Sequence, residues 1–186
     1  MGTGDSPAQS RTSRAEGMAN MVAATRDLLG ERSAELITIR DVAEASGHHH
    51  RFVQAWFGGK VGLFRAVFDQ LVDEISVDRS TLLERTSLQP RTRTLIQLLN
   101  WLVATEPEQF DSGRATPLVD RFTESYAELG FDAPTARLLA VRLVATTMSL
   151  VLFEGVLGVT DSGLADHMGL EREMVAALLA WRAGGA

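Results

Sequence analysis

The stretch Thr38–Phe57, TIRDVAEASGHHHRFVQAWF, decides the fold. Ile39, Val42 and Ala43 lie on one helical face behind Thr38, whose hydroxyl can cap the helix, and Asp41 stands at capping-box spacing. Ser46-Gly47 stops that helix after about two turns. A second short helix is predicted from about His49 to Phe57, with His49 at its N-cap and Gly58-Gly59 as its end. Two such short helices joined through a glycine make poor bundle members and a good helix-turn-helix. Ala43 is small where the helices must approach, Gly47 supplies the permissive backbone, and Val53 returns to the core, which leaves His50, Arg51 and Gln54 outward. A plain helical corner remains open on spacing alone.

Working outward, strand signals are nearly absent and helical spacing recurs, so the class is all-α. Met18, Met21, Val22, Thr25, Leu28 and Leu29 mark a first helix ending near Gly30, and Leu63 to Ile75 mark a fourth starting at about Lys60. The expected organisation is a disordered arm over 1–13, a three-helix head with the helix-turn-helix over 14–60, and a helical body over 61–186. Within the body, Leu95 to Val103, Leu118 to Leu129, Ala133 to about Leu157 and Glu171 to Trp181 read as helices, with prolines between them. The Ala133 to Leu157 segment is apolar around most of its circumference and must be covered on several sides.

Composition narrows the function classes. The chain has 186 residues, 45% of them hydrophobic and 23% charged, and no cysteine. Disulfides, thiolate zinc sites, iron-sulfur clusters and thiol catalysis are therefore excluded. No catalytic residues, cofactor or metal site are expected: phosphate-loop, dinucleotide, nucleophile-elbow and zinc-protease motifs are absent, and consecutive histidines 48–50 point about 100° apart on a helix. No signal peptide or membrane span is expected, which suggests a cytoplasmic, nucleoid-associated protein. Residues 1–60 hold 7 of the 18 Lys and Arg and 7 of the 24 Asp and Glu, so the head is neutral and the body carries the whole net charge of −6.

From Arg14 to about Leu71 the chain resembles the DNA-binding head of the tetracycline-repressor (TetR) family. The likeness rests on Met21, Val22, Ala24, Leu28 and Leu29, on Thr38–Ala43, on Ala45-Ser46-Gly47, and on Trp56-Phe57 followed by Lys60 and Leu63. Ser33, His48 and Gln54 depart from it, standing where glycine, valine and tyrosine are usual. The resemblance implies a dimer on double-stranded operator DNA. Thr38 and Lys60 would contact phosphates at helix N-termini, Arg40, His50 and Arg51 would reach base edges, and Gln54 would bond a phosphate or an adenine, with His49 at the start of the same helix.

The resemblance also implies a body that dimerises through its last two long helices and encloses a small apolar ligand. Trp101, Phe110, Phe122, Tyr126, Met148 and Phe153 are the large or polarizable side chains suited to line such a site. Glu154, alone in an apolar run, would pair with a cationic ligand group, with an arginine such as Arg142, or with solvent. The expected function is a ligand-responsive regulator, a repressor by resemblance. The alternatives are a helical sensor or adaptor that has lost DNA binding, for which the neutral head speaks, and a helical enzyme.

Overall fold

The structure is a computed structural model that describes residues 13–77, 90–110 and 117–184, and all its regular structure there is helical. The expected arm lies outside the described residues except for Ser13, whose hydroxyl accepts from the Glu16 N–H at 3.1 Å and starts helix α1, Arg14–Glu31. Helix α1 buries Gly17, Met21, Thr25, Leu28 and Leu29 on one face. The one polar group among them is satisfied locally, because the Thr25 hydroxyl donates to the Met21 carbonyl at 2.7 Å. A 3-10 turn at Ala34–Leu36 leads to α2, Ile39–Ser46, then α3, Arg51–Phe57, and α4, Lys60–Val77.

The body continues with α5, Pro90–Thr105, a 3-10 turn at Pro107–Phe110, α6, Pro117–Glu128, and α7, Ala133–Leu152. Asp132 caps α7 by accepting from the Thr135 N–H at 3.1 Å, with Pro134 in the first turn, where its missing N–H costs nothing. The helix expected to run unbroken to Leu157 stops at Leu152. Phe153 leaves helical geometry at φ −114°, ψ 19°, and its carbonyl takes up the Val156 and Leu157 N–H groups to form the single turn α8, Glu154–Leu157. The Glu154 carboxylate turns to Arg93 on α5 rather than to Arg142.

Helix α9, Asp161–Gly184, begins ten residues before the expected start at Glu171. Gly163 and Gly169 lower its propensity, but Leu164, Met168, Glu171 and Val175 recur on one buried face, and tertiary burial overrides the glycines.

The buried side chains form two clusters, divided between α5 and α6 rather than at the head. The first joins Met21, Leu28, Ile37, Val42 and Val53 of the head to Leu63, Phe64, Val67 and Leu71 of α4 and to Leu95, Leu98 and Leu102 of α5. The second holds Val119, Tyr126 and Phe131 with Ala136, Leu139, Ala140 and Leu143 of α7 and Met168 and Val175 of α9. A buried polar tie crosses the second cluster: Glu171, 4% exposed, accepts from the Tyr126 hydroxyl at 3.2 Å and from the Arg142 guanidinium. Burial, and then the adjacent carboxylate, push the Tyr126 phenol above its ordinary pKa and keep it a donor.

Helix α7 is long and apolar enough to cross a membrane, with mean hydropathy 1.5 over its best window, of which only 28% is buried within this chain. Its uncovered apolar residues include Leu138 and Val141.

The head is assembled by close backbone approaches. A methyl group on Gly62 would lie 1.9 Å from the Phe57 carbonyl oxygen, so α3 can abut α4 only with glycine there. Gly62→Ala is therefore expected to cost about 3 kcal/mol, in the overpacking range. Gly30→Ala, where a methyl group meets nothing within 4 Å, is expected to be neutral or to stabilise by about 0.5 kcal/mol. Urea unfolding of the two variants measures the contrast, and equal midpoints would refute it.

Candidate nucleic-acid interface

Helix α2 is set by a full capping box. The Thr38 hydroxyl accepts from the Asp41 N–H at 3.2 Å, and the Asp41 carboxylate accepts from the Thr38 N–H at 2.7 Å. That backbone bond first, then the Thr38 hydroxyl, hold the Asp41 carboxyl below its ordinary pKa, with Arg32 and Lys60 adding to the effect. At the other end Gly47 adopts φ +69°, and the His48 N–H closes on the Ala43 carbonyl at 3.1 Å. The chain thereby turns sharply enough to lay α3 across α2.

Helix α3 starts at Arg51, two residues later than the spacing suggested, but the capping is done where it was expected. His50 already has helical dihedrals (φ −52°, ψ −29°), and His49 Nδ1 accepts from the Arg51 N–H at 3.2 Å. An accepting Nδ1 leaves the proton on Nε2. The His49 and His50 rings lie 4.2 Å apart, both exposed.

Behind α3, Trp56 is clamped. It stacks on Phe52 at 4.4 Å, meets the His48 ring edge-on at 6.1 Å, and lies so near α1 that a methyl on Gly17 would be 2.7 Å from its ring. His48 fills the packing position beneath the turn and also lies 3.4 Å from the Asn20 amide. Asn20 carries no spacing signal, since the partners are far apart in sequence.

The structure therefore places Thr38, Arg40, His49, His50, Arg51 and Gln54 on an exposed surface formed by the N-terminus of α2 and the outer side of α3. The Arg51 guanidinium rests over the Phe52 ring at 5.0 Å, at the start of the helix. Glu44 is also exposed on α2, and the surface is polar rather than strongly basic. Lys60 is oriented differently. Its Nζ donates to the Ala34 carbonyl at 2.7 Å and sits 5.1 Å and 5.2 Å from the Phe64 and Trp101 ring centroids. Burial lowers its ammonium pKa, against the pull of Glu35 and Asp41.

No protein-family model matches the sequence, and no curated protein does. Among solved structures, the TetR-family repressor AlkX from Dietzia sp. strain DQ12-45-1b, implicated in biodegradation of n-alkanes, aligns at 22% identity over 90% of this chain and 97% of that one, with TM-score 0.47. A possible TetR-family transcriptional regulator from Streptomyces coelicolor A3(2) aligns at 18% identity over 91% and 100%, with TM-score 0.49. This chain is similar to TetR-family regulators. NalD, the secondary repressor of the MexAB-OprM multidrug efflux pump in Pseudomonas aeruginosa, aligns at 12% identity over 84% and 94%, with TM-score 0.42. The TetR likeness is one of fold, and the roles of residues rest on the geometry above.

The six body residues do not share one lining. Trp101 packs on Phe64 at 5.0 Å in the first cluster, while Phe122 and Tyr126 belong to the second. Met148 is half-buried on α7, Phe153 is exposed at the break after it, and the side chain of Phe110 lies outside the described residues. Among the described residues, no group of three His, Asp or Glu could hold a metal ion.

The capping box generates a test in this TetR-like head. Thr38→Ala is expected to cost about 1 kcal/mol at pH 7. The Asp41 pKa is depressed by folding, so its contribution is present above its unfolded pKa, near 3.9, and is lost as pH falls through the lower folded value. Below about pH 4 the gap between wild type and Asp41→Asn should therefore close. Thermal unfolding between pH 7 and pH 3 measures it, and a gap that stays constant would contradict the assignment.

Proposed function

We propose that the chain is a homodimeric transcriptional regulator of the TetR type, working in the cytoplasm on the nucleoid. It binds a palindromic operator through α2 and α3 and is released by a small apolar molecule in its body. The observation that carries the reading is the α2–Gly47–α3 corner itself. A helix of seven residues, clamped from behind by Trp56, presents Arg51 and Gln54 outward, with His50 at its start and Arg40 exposed on α2. A clamped short helix of this kind suits insertion into a major groove, where arginine donates two bonds to guanine. The backbone N–H groups at Thr38 and the His49–Arg51 turn would add phosphate contacts.

With a neutral head, affinity has to come from two copies rather than from many cations. The surface for pairing is the apolar stripe left open on α7 and α9. Leu138 and Trp181 are 71% and 76% exposed, and Val141, Leu170 and Leu178 extend the stripe. Two helices from each copy make a four-helix bundle that covers it.

For the ligand, Phe122, Tyr126 and Met148 offer apolar surface in the body. His167, one turn before Glu171 on α9, has a buried Nε2 without a partner among the described residues and would give a ligand one polar fixture. Repression rather than activation follows the TetR resemblance.

Binding of labelled DNA from around the coding region, titrated over salt, is the test of the DNA reading. Arg51→Ala should weaken saturable binding by about 5- to 150-fold, the worth of one bidentate base contact. No binding to that fragment or to a random-sequence pool at low salt would favour the sensor or adaptor reading, to which the 7:7 charge balance of residues 1–60 also points. Sedimentation equilibrium tests the pairing: wild type should be dimeric and Leu138→Glu with Trp181→Glu monomeric with unchanged helical circular dichroism. A monomeric wild type would sink the dimer.

A further inference from the structure

Lys60 opens α4, where the free N–H groups give the helix its positive end and an ammonium is unwelcome. Its charge is compensated by neutral groups drawn from three different segments. The Ala34 carbonyl, at 2.7 Å, belongs to the turn that leads into the cap of α2. The Phe64 ring, at 5.1 Å, is one turn along α4, and the Trp101 ring, at 5.2 Å, belongs to α5. Phe64 and Trp101 touch each other at 5.0 Å, so the ammonium sits over a two-ring platform that is half head-side and half body.

We propose that Lys60 is a latch between body and head, not a phosphate contact: through Trp101 it reads the position of α5, and through the Ala34 carbonyl it sets the pose of α2 and α3. Its ammonium makes one short bond to a backbone oxygen four residues before Thr38, so a displacement of Trp101 is passed to the capping box within a few ångströms. The other end of α5 is held from the second cluster, because Arg93, eight residues before Trp101, pairs with Glu154 on the turn after α7. Eight residues of helix span about 12 Å, which makes α5 a rigid lever between the two. A change in the second cluster that moves the Glu154 turn is thereby delivered to the DNA-facing corner without any contact between that cluster and α3. A phosphate that claimed Lys60 would have to draw it from the Ala34 carbonyl and the rings, and would unlatch the head in doing so.

The role of the latch in regulation rests on the reading of the chain as a DNA-binding regulator, but the latch itself is testable without DNA. Amide hydrogen exchange over Ile37–Ser46 is measured in the full chain for Lys60→Met, Trp101→Met, the double variant, and Trp101→Phe. Methionine keeps apolar bulk at Trp101 while removing the aromatic face, and phenylalanine restores a face for the ammonium. Each methionine variant should raise exchange in α2 by about two- to fivefold, the range that the loss of one cation–π contact implies. The double variant should show no more than the larger single effect, and Trp101→Phe should return toward wild type. Unchanged exchange in Trp101→Met, or single effects that multiply in the double variant, would overturn the latch.

A second arm uses DNA. If Lys60 met a phosphate, Lys60→Met in a dimer would make the salt dependence of binding shallower by about two units of slope. The latch requires an unchanged slope with a shifted affinity, and a shallower slope refutes it. Absence of any DNA binding by wild type would remove the proposed function while the exchange experiment still decides the latch.

Discussion

The structure turns on the burial of one edge of α5 against the head. Leu95, Leu98 and Leu102 complete a core that Met21, Leu28, Val42 and Val53 begin and that α4 extends. Three helices of at most 18, 8 and 7 residues enclose too little apolar volume to be stable by themselves. By lending its side chains, α5 makes the DNA-facing corner and half of the body a single packing unit. The second cluster, around α6, α7 and α9, is then the separate part, held by its own buried polar tie at Glu171. Communication between ligand and DNA in such a molecule concerns how two cores slide, with α5 as the member that touches both.

Much of this was legible in the sequence because it is written in short-range chemistry. The Thr38 and Asp41 capping box, the left-handed Gly47, the inward Val53 and the starts of α2 and α4 follow from side chains that act within one turn of themselves. The surface that Arg40, His50, Arg51 and Gln54 share was legible for the same reason, since outward positions are fixed once the inward ones are. The misread boundaries are those decided over distance. The apolar run through Leu157 has no local stop signal at Phe153; the break goes with Glu154 reaching across to Arg93. The early start of α9 was hidden because Gly163 and Gly169 argue locally against a helix that burial of Leu164 and Met168 nevertheless favours. Lys60 is the sharpest case. A lysine at a helix start reads as an anion contact, and only the three-dimensional convergence of Ala34, Phe64 and Trp101 gives it an inward partner. The aromatic residues of the body likewise suggested one lining by composition, whereas topology distributes them between two cores.

Electrostatics set the remaining constraint. A neutral head cannot hold DNA by counterion release alone, so specificity and affinity both fall on few groups in fixed geometry. The clamping of Trp56 by Phe52, His48 and Gly17 serves that need, because a rigid α3 loses little entropy when it docks. The acidic body adds repulsion that discourages any other docking pose.

The sharing of the first core has a consequence for biosynthesis. The helix-turn-helix is among the first segments to leave the ribosome, but the leucines that complete its core follow roughly 45 residues later. At bacterial translation speeds of about 5–20 residues per second, that is a delay of some two to nine seconds. During that interval Phe52, Trp56 and Phe57 belong to a nascent chain that has no native partner for them. The order of elements along this chain thus makes its youngest form dependent on chaperone cover at the very surface that later faces DNA.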